Sequence, residues 1–332
     1  MEYRKIQKLG QNSFAISLPK EWIERNGLKP KDSLLIRESN LDLIISNPQL
    51  SSESLELVVT FVFDTNIRRN ITMTYLAGAP QIIIKESNGE GPFSTEKREE
   101  IKNILQSLVG TQIVAEDPYS ITIDFLATID QEDIVQRVRQ VYTLVMSMLE
   151  SLGAIFQGEP VKTDVLKNIV ARDIDVNRLY FSIVRQIRGL AKQSPIVGKI
   201  KTPLYKVVDY RLMVHILENL GDCCVTIAKE LLRISQTGEK DLFPTPLDDA
   251  FKAYAASAVN AHQQTQTAFI TASSDLIQDI IRRSTIELGL RVEVEQALYT
   301  LVGRPEITSY FGIFSNLEQI QQYAIDICDL IE

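Results

Sequence analysis

The chain has 332 residues, 45% of them apolar and 23% charged, with a formal net charge of −8. This is the balance of a core-forming chain of about two domains, and it argues against intrinsic disorder. No run approaches the roughly 18–20 uninterrupted apolar residues that a spanning helix needs. Met1-Glu2-Tyr3-Arg4-Lys5 leads straight into patterned sequence without a signal-peptide core, so a cytoplasmic protein is expected.

Three cysteines, two of them adjacent (Cys223, Cys224 and Cys328), build neither a disulfide framework nor a CxxC site. With only His215 and His262 as histidines, carboxylates are left as the main chemistry for any metal. The charge is unevenly spread. Residues 1–31 hold seven Lys/Arg against three acids, which is +4, so the rest of the chain carries −12. A small basic head on an acidic body is therefore expected, and only the head suits an anionic partner.

In chain order, residues 1–48 read as two short β runs around Gly10-Gln11-Asn12-Ser13, a helical turn opened by Pro19 and closed by Asn26-Gly27, and two more β runs separated by Ser39-Asn40. So small a unit has little core of its own, and dimerisation is expected. Residues 49–128 alternate as βαβαββ, with a helix start at Ser94-Thr95-Glu96 and a stop at Gly110. This order is compatible with a small α+β, ferredoxin-like middle domain acting as a spacer.

From residue 129 to 332 the apolar period is helical. Six helices are expected, at about 131–157, 161–193, 203–237, 246–271, 274–301 and 306–331. They fall into two three-helix repeats, 129–238 and 244–332. The third and sixth helices align at an offset of 100, placing Glu218 against Glu318 and Asp222 against Gln322. The second and fifth align at an offset of 111, placing Asp173 against Ser284 and Asn177 against Leu288. The apolar frame thus survives in both repeats and the acids survive in one.

Glu218 and Asp222 share a helix face at i, i+4, as do Asp173 and Asn177 on the preceding antiparallel helix. Meeting faces would gather four oxygen-bearing side chains suited to a hard or borderline di- or trivalent ion such as iron, zinc, magnesium or manganese. The alternative is a set of solvated acids beside Arg172 or Arg178. His215 either joins the face or is structural. Cys223 and Cys224 read as small core residues.

The head, through Arg4-Lys5-Ile6-Gln7-Lys8-Leu9-Gly10-Gln11-Asn12-Ser13, Leu18-Pro19-Lys20-Glu21 and Gly27-Leu28-Lys29-Pro30-Lys31-Asp32, resembles the AbrB/SpoVT (MazE-like) DNA-binding family, with Lys31 where a Gly is usual. The resemblance implies a swapped-hairpin β-barrel shared by two chains. It also implies contacts to double-stranded DNA, at a pseudo-palindromic operator, from Arg4, Lys5, Lys8 and Lys20, with Asn12 or Ser13 at the turn.

The helical part, through Glu218-Asn219-Leu220-Gly221-Asp222 and Ile227-Ala228-Lys229-Glu230, resembles PhoU, the phosphate-uptake regulator, whose repeats carry metal-binding acidic motifs. Asp173 with Asn177 is a looser match, and the second repeat departs at Ser284, Leu288 and Gln322. Together these resemblances imply a non-enzymatic transcriptional regulator of phosphate-responsive genes, an arrangement found among archaeal regulators. An alternative is a PhoU-type interaction protein that restrains a phosphate transporter ATPase or meets a signalling protein, its head serving to dimerise.

Overall fold

The computed structural model describes residues 3–10, 13–39, 42–47, 58–87, 91–126, 134–192, 203–236 and 242–331. The head holds two antiparallel hairpins. Strand β1 (Gln7–Leu9) pairs with β2 (Ser13–Ala15), placing Lys8 opposite Phe14, and β3 (Leu35–Ser39) pairs with β4 (Asp42–Ser46). Helix α1 (Lys20–Arg25) lies between them, and the Asn47 side-chain amide donates to the Asn26 carbonyl at 3.1 Å, tying the end of β4 to the end of α1. Two-stranded hairpins are marginal without a face to cover. Among the head residues whose burial is described, no apolar side chain is buried, and Ile6, Phe14 and Leu43 are each more than 60% exposed.

The middle unit is a four-stranded sheet with two helices: β5 (Val59–Val62), α2 (Ile67–Leu76), β6 (Gln81–Lys85), α3 (Thr95–Gln106), β7 (Thr111–Glu116) and β8 (Ser120–Phe125). Its α+β character is as expected, but the strand order β5-β6-β8-β7, with β5 and β6 parallel, is not the split βαβ of a ferredoxin-like sandwich. The ten-residue α2 returns the chain to the neighbouring strand and leaves no gap for a later strand to enter. Ser94 caps α3 by accepting from the Lys97 amide. Alternation on β6 and β8 turns Ile82, Ile84, Ile121 and Ile123 toward the helices, where Ile71, Tyr75, Ile101 and Ile104 cover them.

The body comprises α4 (Ile134–Phe156), α5 (Thr163–Lys192), α6 (Leu204–Ser235), α7 (Leu247–Thr271), α8 (Ser274–Tyr299) and α9 (Ile307–Cys328), each close to its expected span. Two three-helix units share one continuous core because α4 packs on α7 and α6 packs on α9. Gly153 allows the first approach: a Cβ there would stand 2.8 Å from Val259 Cγ2. Phe156, Phe243 and Phe251 close one end, with ring centroids 4.9–5.8 Å apart. His262 and Tyr142 join the units internally. The His262 Nε2–H donates to the Ile320 carbonyl at 2.7 Å, Nδ1 accepts from the Tyr142 hydroxyl at 3.3 Å, and burial pushes the imidazole down to about 4. This histidine is neutral and structural. Among the described residues no helix is long and apolar enough to cross a membrane.

The middle unit is seated on α5. Val184 is part of the sheet unit's core, while Tyr180 packs against both cores. Arg185, 5% exposed, donates through Nη1 to the Tyr75 carbonyl and through Nη2 to the Ala79 carbonyl at 3.1 Å. Its guanidinium stands 4.7 Å from the Tyr75 ring and 5.5 Å from that of Phe125. A cation thus meets the C-terminal carbonyls of α2, the negative end of its dipole.

Candidate functional site

The acidic seam is assembled by α5 and α6, which run antiparallel in close contact. Gly221 faces Val176 across the pair, where a Cβ would make ordinary contact at 3.4 Å, and the next residue, Asp222, stands beside Asp173. Asp222 is raised by burial and by the adjacent, hydrogen-bonded Asp173 carboxyl. Glu218, one turn earlier, is raised to about 7 by burial, then by Asp222 and Asp173, with Arg211 opposing. Three sequence-predicted acids are therefore neighbours. Asn177 lies half-buried on the same helix as Asp173, one turn on.

Neither Arg172 nor Arg178 is among the charges that act on Glu218 or Asp222. Arg172 Nη1 donates to Ser147 Oγ on α4 at 2.7 Å, and Arg178 is exposed. His215 does join the seam, with Nδ1 3.5 Å from Glu218 Oε2 and its ring 6.1 Å from that of Tyr180. Arg211 Nη2 donates to the Tyr180 hydroxyl at 3.1 Å. Read along α6, the seam runs from Arg211 through His215 and Glu218 to Asp222.

Arg211 and Lys229 offset the three carboxylates only in part, and like carboxylates in that condition hold a proton or recruit a cation. The donors are oxygens, which suits a hard ion. Among the described residues no group of three or more His, Cys, Asp or Glu is gathered at ligand geometry, so a bound ion would draw the side chains together from their present positions. Cys223 and Cys224 are buried, and burial pushes the Cys223 thiol up to about 12 and that of Cys224 higher, which suits core residues and not thiolate ligands.

In the head, Lys5 and Lys8 are exposed along and before β1, and Arg4 Nη1 reaches Ser17 Oγ at 3.5 Å. Lys20 makes an exposed i, i+4 pair with Glu24 at 3.6 Å. Ser13 opens β2 as an exposed residue, and Asn12 lies outside the described residues. Gly10 (φ +74°) starts the hairpin turn, and Lys31 takes φ +85°, so the backbone form usual for glycine is kept by a residue with a Cβ. Trp22 is half-buried.

Fold and site together define a class: a two-repeat six-helix bundle with an acidic seam in its first repeat, preceded by a small, coreless, basic hairpin head. Comparisons with known proteins agree. Residues 138–231 match the PhoU domain family, and residues 7–49 match the family described as antidote-toxin recognition MazE, bacterial antitoxin. The structure is similar to the crystal structure of PhoU from Pseudomonas aeruginosa, with a TM-score of 0.51 at 16% identity, covering 60% of this chain and 94% of that one. That likeness establishes a PhoU fold. No curated protein matches the sequence.

Two cations held by specific partners escaped the sequence reading. Arg185 sits between Val184 and Gln186 on an apolar helix face, and a cation in that position was the available signal. Arg291, aligned with Tyr180 at the offset of 111, was the other.

Proposed function

We propose that this protein is a DNA-binding transcriptional regulator of phosphate uptake, in which paired heads grip a pseudo-palindromic duplex and the PhoU-type body receives the signal. The observation that carries this reading is a head whose described apolar side chains are half-buried at most, with Ile6, Phe14 and Leu43 largely uncovered, set in a region matching a MazE-type family. A second chain would supply the missing core, and the pair would double the cationic surface. Lys5, Lys8 and Arg4 are the proposed phosphate and base-edge contacts, supported by Lys20 and by the turn residues Asn12 and Ser13. The role is regulation and not catalysis.

The proposed signal is a hard di- or trivalent cation held by Asp173, Glu218 and Asp222, with Asn177 as a further oxygen donor. Its charge would relieve the repulsion that raises Glu218 and Asp222 and would draw α5 toward α6. α5 also carries the middle unit, so its displacement would be felt beyond the bundle. The PhoU-type fold favours a second reading, a body that docks on a phosphate transporter ATPase or a signalling protein.

Fluorescence anisotropy with the chain's own upstream DNA separates the two readings. The regulator is expected to bind with strong salt dependence and to lose binding in Arg4→Ala/Lys8→Ala. Salt-insensitive binding, or binding undiminished in that variant, would leave only the docking reading.

A further inference from the structure

The outward face of α8 carries an apolar stripe. Ile281, Leu288, Val292 and Tyr299 recur at spacings of seven, four and seven, which puts them on one line along the helix, and they are 44–72% exposed. Ile280, Val294, Ala297 and Leu298 bury the opposite face. At the offset of 111 that aligns α5 with α8, Val292, Glu295 and Gln296 correspond to Phe181, Val184 and Arg185. Those three α5 residues seat the sheet unit. One helix face is thus an interface in repeat one, and its counterpart in repeat two is open.

Gly289 borders the stripe in the middle of the 26-residue α8, and a Cβ there would meet nothing within 4 Å. A mid-helix glycine costs about 0.5–1 kcal/mol against alanine, and no described neighbour requires it. It leaves room for a second helix to approach closely. The same flank carries Arg282 and Glu293, eleven residues or about three turns apart. Neither makes an ion pair among the described residues. The other flank is satisfied within the chain: Arg291 Nε lies 2.8 Å from Glu318 Oε1 on α9 and 3.0 Å from Glu295 Oε1.

We propose that this face of α8 docks a second copy of the chain, the two α8 helices packing antiparallel about a two-fold axis close to Gly289. Such a contact sets each flank against its own copy. Ile281 of each chain then meets Tyr299 of the other, Leu288 meets Val292, and Arg282 approaches the Glu293 end of the second helix. Opposite charges on one flank fit a reversed copy of the same helix, whereas a uniformly acidic or basic partner would match only half of it. The contact is separate from the pairing of heads and does not depend on it.

The test is disulfide trapping in the full chain carrying Ile281→Cys/Tyr299→Cys. The two positions stand about 27 Å apart along α8 and cannot bridge within one chain, and the native cysteines are buried. Mild oxidation is expected to give a covalent dimer at least tenfold faster than with Ile281→Cys or Tyr299→Cys alone. Adding Arg282→Glu is expected to slow trapping several-fold, and adding Arg282→Glu/Glu293→Arg to restore it. Gly289→Leu has room within its own chain and is expected to keep the wild-type Tm while slowing trapping. The proposal is overturned if the double-cysteine chain gives no covalent dimer, if either single variant traps as fast, or if Arg282→Glu and Arg282→Glu/Glu293→Arg trap alike.

Discussion

Replacing Arg185 with alanine removes two hydrogen bonds from a charged donor and leaves the Tyr75 and Ala79 carbonyls without it at the end of α2. Hydrogen bonds to charged groups contribute about 1.5–3 kcal/mol each. Two of them, less partial hydration of the freed carbonyls, put the loss at about 3–5 kcal/mol, in line with breaking a buried charged contact. The bundle core does not use this side chain, so the loss falls on the docking of the sheet unit. For a unit of this size roughly 4–8 °C of Tm follows each kcal/mol. Calorimetry of Arg185→Ala should therefore show the sheet unit melting more than ~10 °C lower, as a separate transition. Hydrogen exchange should speed up in α2 and β6 and remain slow in α6. Arg185→Lys, which keeps the charge and loses the two-pronged geometry, should fall between. A single transition at the wild-type midpoint would refute the claim that Arg185 fastens the two units.

Glu218 titrates near 7 when folded, above its ordinary 4.5, so in ion-free protein its stabilising share is complete below about 4.5 and is lost as pH rises through about 7. Glu218→Gln should accordingly raise Tm of chelator-treated protein at pH 8, leave it unchanged near pH 4, and abolish stabilisation by Mn2+; equal melting curves at pH 8 would contradict this. Gly153→Ala forces a Cβ to 2.8 Å from Val259, and overpacking of this kind costs about 1–3 kcal/mol against a helix-propensity gain of up to about 1 kcal/mol. A net loss in chemical denaturation, reversed by Val259→Ala, is the expected cycle. Lys31→Gly relieves a positive-φ side chain and should stabilise the head by about 1 kcal/mol, read as slower hydrogen exchange at residues 20–36.

The helical body was legible because six long segments repeat their apolar residues every three or four positions, and burial obeyed that period at Val138, Val141 and Val145 as at Leu217, Leu220 and Ile227. The sheet order was not, since strand neighbours depend on crossovers, and the pairing of β6 with both β5 and β8 leaves no mark in local pattern. The proximity of Asp173, Glu218 and Asp222 could be read from i, i+4 spacing on adjacent helices. Their countercharge could not, because it depends on where long side chains reach: Arg172 is beside the acids in sequence and bonds to Ser147 instead. Arg291 was invisible for the same reason, lying twenty-seven positions from the glutamate it meets. The head was legible as β hairpins around a short helix, while its core was absent from any one-chain pattern because its described apolar side chains are at most half-buried within the chain.

The proposed coupling of a DNA-binding head to an ion-responsive body is tested by one titration. The affinity of the full chain for its upstream DNA is measured at fixed ionic strength with and without Mn2+, in wild type and in Glu218→Gln/Asp222→Asn. Mn2+ is expected to shift the wild-type affinity several-fold and to leave the variant unmoved. Identical Mn2+ responses in both proteins, or no response in either, would contradict the coupling of seam to head.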